Sequence, residues 1–134
     1  MNFELIYNNF FIILSGLDET LKLVVISLSL GFIIAIPFAL ARASSFKILS
    51  QSVYYYVFII RGTPLLVQIY LIYYGLGTIL FVRESFLWIV LKDPFFCGVL
   101  ALVINTVAYT AEIFRGGIQS VTKGQIESCK SLGM

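Results

Sequence analysis

The sequence predicts an all-α, polytopic membrane protein: three transmembrane helices followed by a short polar helix. Three observations carry this. The chain is 60% hydrophobic and 12% charged, with a mean hydropathy of +0.98, too little polar surface to cover a soluble globule of 134 residues. Its charges are spaced so that 19 uncharged residues lie between Lys22 and Arg42, 21 between Arg61 and Arg83, and 18 between Asp93 and Glu112. Each run approaches the ~20 residues that cross ~30 Å of hydrocarbon as a helix. The third observation is the long polar stretch from Gly116 to Gly133 that follows the last apolar run.

Residues 1–21 carry Glu4, Asp18 and Glu19 without a base. An acid ahead of any basic residue is unlike a signal peptide, so this segment is expected to remain. The first span is expected at about 22–42. The loop after it, Arg42 to Gln51, holds Arg42 and Lys47 with no acid, which places it in the cytoplasm and the N-terminus outside. Spans at about 62–82 and 94–112 then leave the C-terminal segment in the cytoplasm, where Arg115, Lys123 and Lys130 outnumber Glu112 and Glu127. Between spans two and three, Arg83, Glu84, Lys92 and Asp93 cancel, and Phe86, Leu87 and Trp88 suit an interfacial belt.

The second span needs an interruption. Ile48 to Val82 is 35 residues with one charge, and an unbroken helix of that length would reach ~52 Å. Arg61-Gly-Thr-Pro64 supplies the break: Thr63 and Pro64 suit the N-cap and N1 positions, and Gly62 removes steric hindrance. Residues Ser52 to Ile60 then lie at the inner interface or form a separate half-helix. For Arg61 two readings stand. It snorkels to headgroups, or it joins the N–H groups of Leu65 and Leu66 in an electropositive patch of the kind broken transporter helices present to anionic groups. Gln68, with Tyr70, Tyr73 and Tyr74, either packs helices or lines a solute path, since an amide in mid-span needs polar partners.

The polar stretch reads as a docking element. Thr122 and Gln125 have capping-box spacing, a helix follows over about 122–133, and Gly133 suits the left-handed residue that ends it. Ile126, Cys129 and Gly133 recur along one narrow, flat face. Glu112 and Arg115, at i and i+3, form an ion pair worth a few tenths of a kcal/mol if exposed.

Several classes are excluded or disfavoured. A net charge of +2, dispersed over the loops, does not suit nucleic acid. The absence of histidine removes the usual general base and metal ligand, so catalysis and a metal site are not expected. Gly75-Leu-Gly77 is a lone GxG, no GxxxxGK[ST] loop occurs, and no cofactor is expected. Cys97 and Cys129 fall at opposite ends of the topology and read as small space-fillers.

Arg61-Gly-Thr-Pro-Leu-Leu-Val-Gln-Ile-Tyr70, Ala108-Tyr-Thr-Ala-Glu112-Ile-Phe-Arg-Gly-Gly-Ile118 and Gly124-Gln-Ile-Glu-Ser-Cys-Lys-Ser-Leu-Gly133 together resemble the permease subunit of bacterial ABC importers for polar amino acids. Leu14-Ser-Gly16-Leu-Asp-Glu-Thr20-Leu21 is similar to that family's approach to its first span. The resemblance runs over nearly the whole chain, with the motifs in order. It implies the N-terminal part of the type I importer permease fold, in the bacterial inner membrane. It also implies a second permease subunit, identical or not, a periplasmic amino-acid-binding protein, and a cytoplasmic ATPase dimer that binds the ATP.

The terminal segment resembles the family's EAA loop, whose coupling helix docks on the ATPase. On that resemblance Gly124, Ile126, Glu127, Ser128, Cys129 and Gly133 form the docking set. Glu127 and Gly133 match the motif, while Ser128 and Cys129 stand where alanines are usual. Arg61, Gly62, Thr63, Pro64 and Gln68 become candidates for the translocation path, and Glu112 with Arg115 a pair stiffening the lever into the coupling helix. The family continues beyond this glycine with two further spans. A chain of 134 residues is therefore expected to be a split or truncated product completed by a partner, or a non-transporting remnant with at most a structural or regulatory role.

Overall fold

The computed structural model describes residues 3–133; Met1 and Met134, the termini that the charge pattern assigns to opposite sides, and the side chain of Glu4 lie outside them. The chain is helical, with no strand among the described residues. Helix α1 spans Phe3–Ala43, and its stretch Asn9–Ala43 is long and apolar enough to cross a membrane. It starts well before the residue 22 expected from charge spacing. The acids there fit a helix, because Lys22 Nζ pairs with Asp18 at 2.6 Å and Glu19 at 3.1 Å, four and three residues back.

Helix α2 spans Lys47–Gly62. After a two-residue break come α3 (Leu65–Tyr70), a π-helical turn (Leu71–Gly75) and α4 (Leu76–Thr78). The segments before and after the break meet at 103°, so together they make a bent span or a re-entrant loop. Residues 52–60 lie within the helix that precedes the bend. The apolar helix ends at Thr78, short of residue 82, where Ile79 turns extended (φ −85°, ψ 110°). Single turns α5 (Leu80–Arg83) and α6 (Trp88–Leu91) lead to α7, Pro94–Ser120, the second helix long and apolar enough to cross a membrane. Its start is set by Asp93, whose carboxylate accepts the Phe95 N–H at 2.8 Å, with Pro94 in the first turn. Helix α7 runs eight residues past the expected end at 112, and α8 (Lys123–Ser131) follows.

The seam of the fold lies between α1 and α7, which run parallel: Leu23 meets Gly98, and Gly31 meets Thr106. Ala35, Ala39 and Ala111 are fully or almost fully buried there, with Phe38 and Phe114 closing over them. Such small residues let two backbones approach closely, which is how apolar helices gain packing when lipid removes any hydrophobic advantage of association. Large side chains such as Val25, Ile33 and Leu21 point outward.

Helix α2 is tied to both partners through polar groups. The Tyr56 hydroxyl donates to the Ile104 carbonyl of α7 at 2.6 Å. At the α1–α2 corner, Arg42 donates to Ser50 Oγ at 3.1 Å, Ser50 donates back to the Arg42 carbonyl at 2.9 Å, and the guanidinium lies 4.9 Å from the Tyr54 ring centre. Cys97 is buried and Cys129 exposed, both as free thiols; Cys97 Sγ sits 3.1 Å from the Leu91 carbonyl.

Candidate functional site

The break between α2 and α3 is built by proline. Thr63, which precedes it, is extended (φ −115°, ψ 140°), as clash with the proline ring demands, and Pro64 itself is extended (φ −62°, ψ 136°). The expected cap assignment therefore shifts by one residue. Pro64 rather than Thr63 occupies the N-cap position, its carbonyl accepting from Val67 and Gln68, and Leu65 is the first helical residue. The Thr63 hydroxyl points backward instead, donating to the Ile59 carbonyl at 3.0 Å.

Arg61, Gly62 and Glu112 come together. With Tyr54, Phe58 and Tyr109 they line a cavity of about 350 Å³ between α2 and α7. The Arg61 guanidinium lies 5.2 Å from the Tyr109 ring centre, a cation–π contact. Arg61 thus has a partner on α7, which neither earlier reading of this residue included. Tyr109 falls inside the Ala108–Ile118 motif, and that position was its only signal in the sequence.

Glu112 and Arg115 form a two-point pair: Nε to Oε2 at 3.0 Å and Nη2 to Oε1 at 2.5 Å. Their side chains are only 24% and 22% exposed, so this is not the solvent-screened surface pair that spacing alone suggests. Arg115 Nη1 also donates to Gln119 Oε1. One polar line therefore follows α7 from residue 112 to residue 119, just before α8. The charges of Arg42 on α1 and Arg61 on α2 add at longer range to that of Arg115 on the Glu112 carboxylate.

Gln68 does not face the cavity. It is 7% exposed and bonded into the break, and its oxygen accepts from Asn105 Nδ2 of α7 at 3.3 Å. Sequence reading passed over Asn105 and Tyr56. An amide in the middle of an uncharged run signals a buried partner, whereas a tyrosine in a Tyr-Tyr-Tyr run carries no such mark.

At the chain's end the capping box is present in full. The Gln125 N–H meets Thr122 Oγ1 at 3.4 Å, and the Thr122 N–H donates to Gln125 Oε1 at 3.0 Å. Gly133 has φ +78°, the left-handed geometry that ends a helix, and its N–H reaches the Lys130 carbonyl at 3.1 Å. Every residue of α8 is exposed, including Gly124, Ile126, Glu127, Ser128 and Cys129. Val121 and Thr122 alone separate it from α7. Among the described residues, no group of three or more acids and cysteines is placed to hold a metal ion.

Residues 20–134 match the model of the family described as binding-protein-dependent transport system inner membrane component. The chain is 50% identical to the nopaline transport system permease protein of Agrobacterium fabrum, over all of this chain and 56% of that protein. It is 49% identical to the octopine transport system permease protein of Rhizobium radiobacter, over 96% of this chain and 53% of the relative. Identity to the histidine/lysine/arginine/ornithine transport system permease protein of Escherichia coli is 39%, over 89% of this chain and 50% of the relative. The chain thus spans about half the length of the curated relatives it matches. Among solved structures, the crystal structure of an amino acid ABC transporter with histidines matches at a TM-score of 0.82 and 40% identity, covering all of this chain and 58% of that one. With the family pattern covering residues 20–134, the chain belongs to the binding-protein-dependent transport system inner membrane components.

Proposed function

We propose that this chain supplies the N-terminal half of a permease subunit of an ABC importer for polar amino acids. One observation carries the reading: a fully exposed, doubly capped helix stands two residues beyond a long apolar helix whose last turns are braced by Glu112, Arg115 and Gln119. An exposed helix with an apolar residue and a free thiol on it suits docking to another protein. That protein would be an ATPase dimer, which binds the ATP. A second permease subunit, identical or not, and a periplasmic binding protein complete the assembly in the bacterial inner membrane. The solute class follows the relatives, whose names carry nopaline, octopine and cationic amino acids. Arg61 brings a positive charge to the wall of an aromatic-lined cavity, which suits the carboxylate of an amino acid.

Two experiments test this reading. In vesicles holding the complete permease, binding protein and ATPase, Arg61→Ala should lower amino-acid uptake about tenfold while assembly is unchanged. Lysine at this position should restore part of it, because a point charge lacks the planar fork that stacks on tyrosine and pairs with carboxylate. Wild-type uptake with alanine would leave Arg61 a headgroup anchor. Topology is tested separately: a reporter fused near Glu84 should be active only outside, and one fused after Met134 only in the cytoplasm. Outside activity at the second fusion would remove the docking helix from the ATPase's compartment.

A further inference from the structure

One buried amide holds the break together. Gln68 Nε2 donates to the Ile60 carbonyl at 2.7 Å, to the Thr63 carbonyl at 3.0 Å and to Thr63 Oγ1 at 2.8 Å. Proline at 64 ends the helical ladder, so carbonyls of the last turn of α2 lose the N–H groups a continued helix would give them. Ile60 and Thr63 stand on either side of Arg61 and Gly62 in the chain. The same side chain accepts from Asn105 on α7, four residues before Tyr109 and therefore on the same face.

We propose that Gln68 is a positioning residue for Arg61: it fixes the last turn of α2 against α7 so that the guanidinium is held on Tyr109 at the cavity wall. Only an amide suits the place. It brings donors to the orphaned carbonyls and an acceptor to Asn105 from one planar group. Methionine has similar length and no donor, and a carboxylate would set oxygen against oxygen. Where Arg61 is held is independent of what the chain transports; the consequence for uptake rests on the importer reading.

The test uses the full chain in membrane vesicles, with Cys97→Ala and Cys129→Ser to clear the thiol background. Gly62→Cys with Tyr109→Cys reports the distance from the end of α2 to α7, and a Cβ at 62 has open space around it. Leu23→Cys with Gly98→Cys is the control on the α1–α7 seam, where these positions touch. A short bifunctional thiol reagent should join both pairs. Adding Gln68→Met should slow joining at 62/109 about tenfold relative to the control pair. Gln68→Glu adds a pH profile that simple packing would not produce, since the acid form donates one hydrogen bond and the carboxylate none. Its 62/109 yield, taken relative to the control, should fall as pH rises, while the parent stays flat. The charged groups on the elements around it, Arg61 on α2 and Glu112 with Arg115 on α7, are common to every variant. Unchanged joining in Gln68→Met overturns the proposal, and so does equal loss at both pairs, which would make Gln68 a general packing residue. A changed 62/109 rate with unchanged uptake would uphold positioning and remove the transport role of the cavity instead.

Discussion

Gly31→Leu is expected to part α1 from α7 and leave little folded protein in the membrane. A Cβ at residue 31 would lie 2.5 Å from Thr106 Cγ2 and 2.7 Å from Thr106 Cβ, closer than carbon atoms pack. The neighbouring seam is alanine, with Ala35 and Ala111 at 0% exposure, so no flexible side chain can yield. Overpacking of this kind typically costs ~1–3 kcal/mol, with leucine's further carbons adding to it. The measurement is the fraction surviving heating in detergent, read by size-exclusion chromatography. Gly98→Ala is the contrast, because its Cβ would rest at an ordinary 3.5 Å from Leu23 Cδ2, and near-native survival is expected. Gly31→Ala combined with Thr106→Gly should recover much of what Gly31→Ala alone loses, since the second change removes both offending atoms. Failure of that rescue would place the damage elsewhere than this contact.

The seam was partly legible. Ser27, Gly31, Ala35 and Ala39 recur every fourth residue, a small-residue stripe that marks helix contact in lipid, yet hydropathy weighs them little against the leucines and isoleucines around them. Large apolar residues were the loud signal and the uninformative one. In a chain solvated by lipid they face outward, as Val25 and Ile33 do at 60% and 66% exposure. Charge spacing bounded the first span at Lys22 and the third at Glu112, whereas the helices themselves run on through both residues. Each has an i,i+3 or i,i+4 partner of opposite charge, so the helix continues through it.

The candidate site divides in the same way. Features set by local chain chemistry were readable: the interruption at Pro64, the capping box of Thr122 and Gln125, and the left-handed Gly133. Features that depend on which helices meet were not. Arg61 on Tyr109, Gln68 on Asn105 and Tyr56 on the Ile104 carbonyl all join residues distant in sequence, and nothing in a single chain's pattern pairs them. The π-helical turn over Leu71–Gly75 also had no sequence signal beyond its closing glycine.

The largest functional effect is expected at α8. The face of α8 that carries Ile126 and Cys129, with Gly133 just past the helix end, can lie closely on a partner only while the side chains on it stay small, and Ile126 is already 45% exposed. Cys129→Trp should therefore weaken binding of the ATPase by ~1–3 kcal/mol, roughly five-fold to a hundredfold or more in affinity. In the assembled transporter this predicts loss of the ATPase on affinity purification through the permease and loss of ATP-dependent uptake, with the permease itself still inserted. Lys130, the next residue, points to a different side of the helix, and Lys130→Ala should retain the ATPase. The free, exposed thiol of Cys129 allows a direct check, since a thiol crosslinker should join it to the ATPase surface in the unmodified protein. The capping box gives a second handle. Thr122→Ala leaves the docking face untouched but removes a cap worth ~1 kcal/mol, so it should lower ATPase recovery less than tryptophan does, by loosening the helix rather than by blocking contact. If the crosslinker captures nothing and Cys129→Trp leaves ATPase recovery unchanged, α8 is not the docking element, and the exposed, capped helix loses the role on which the importer reading depends.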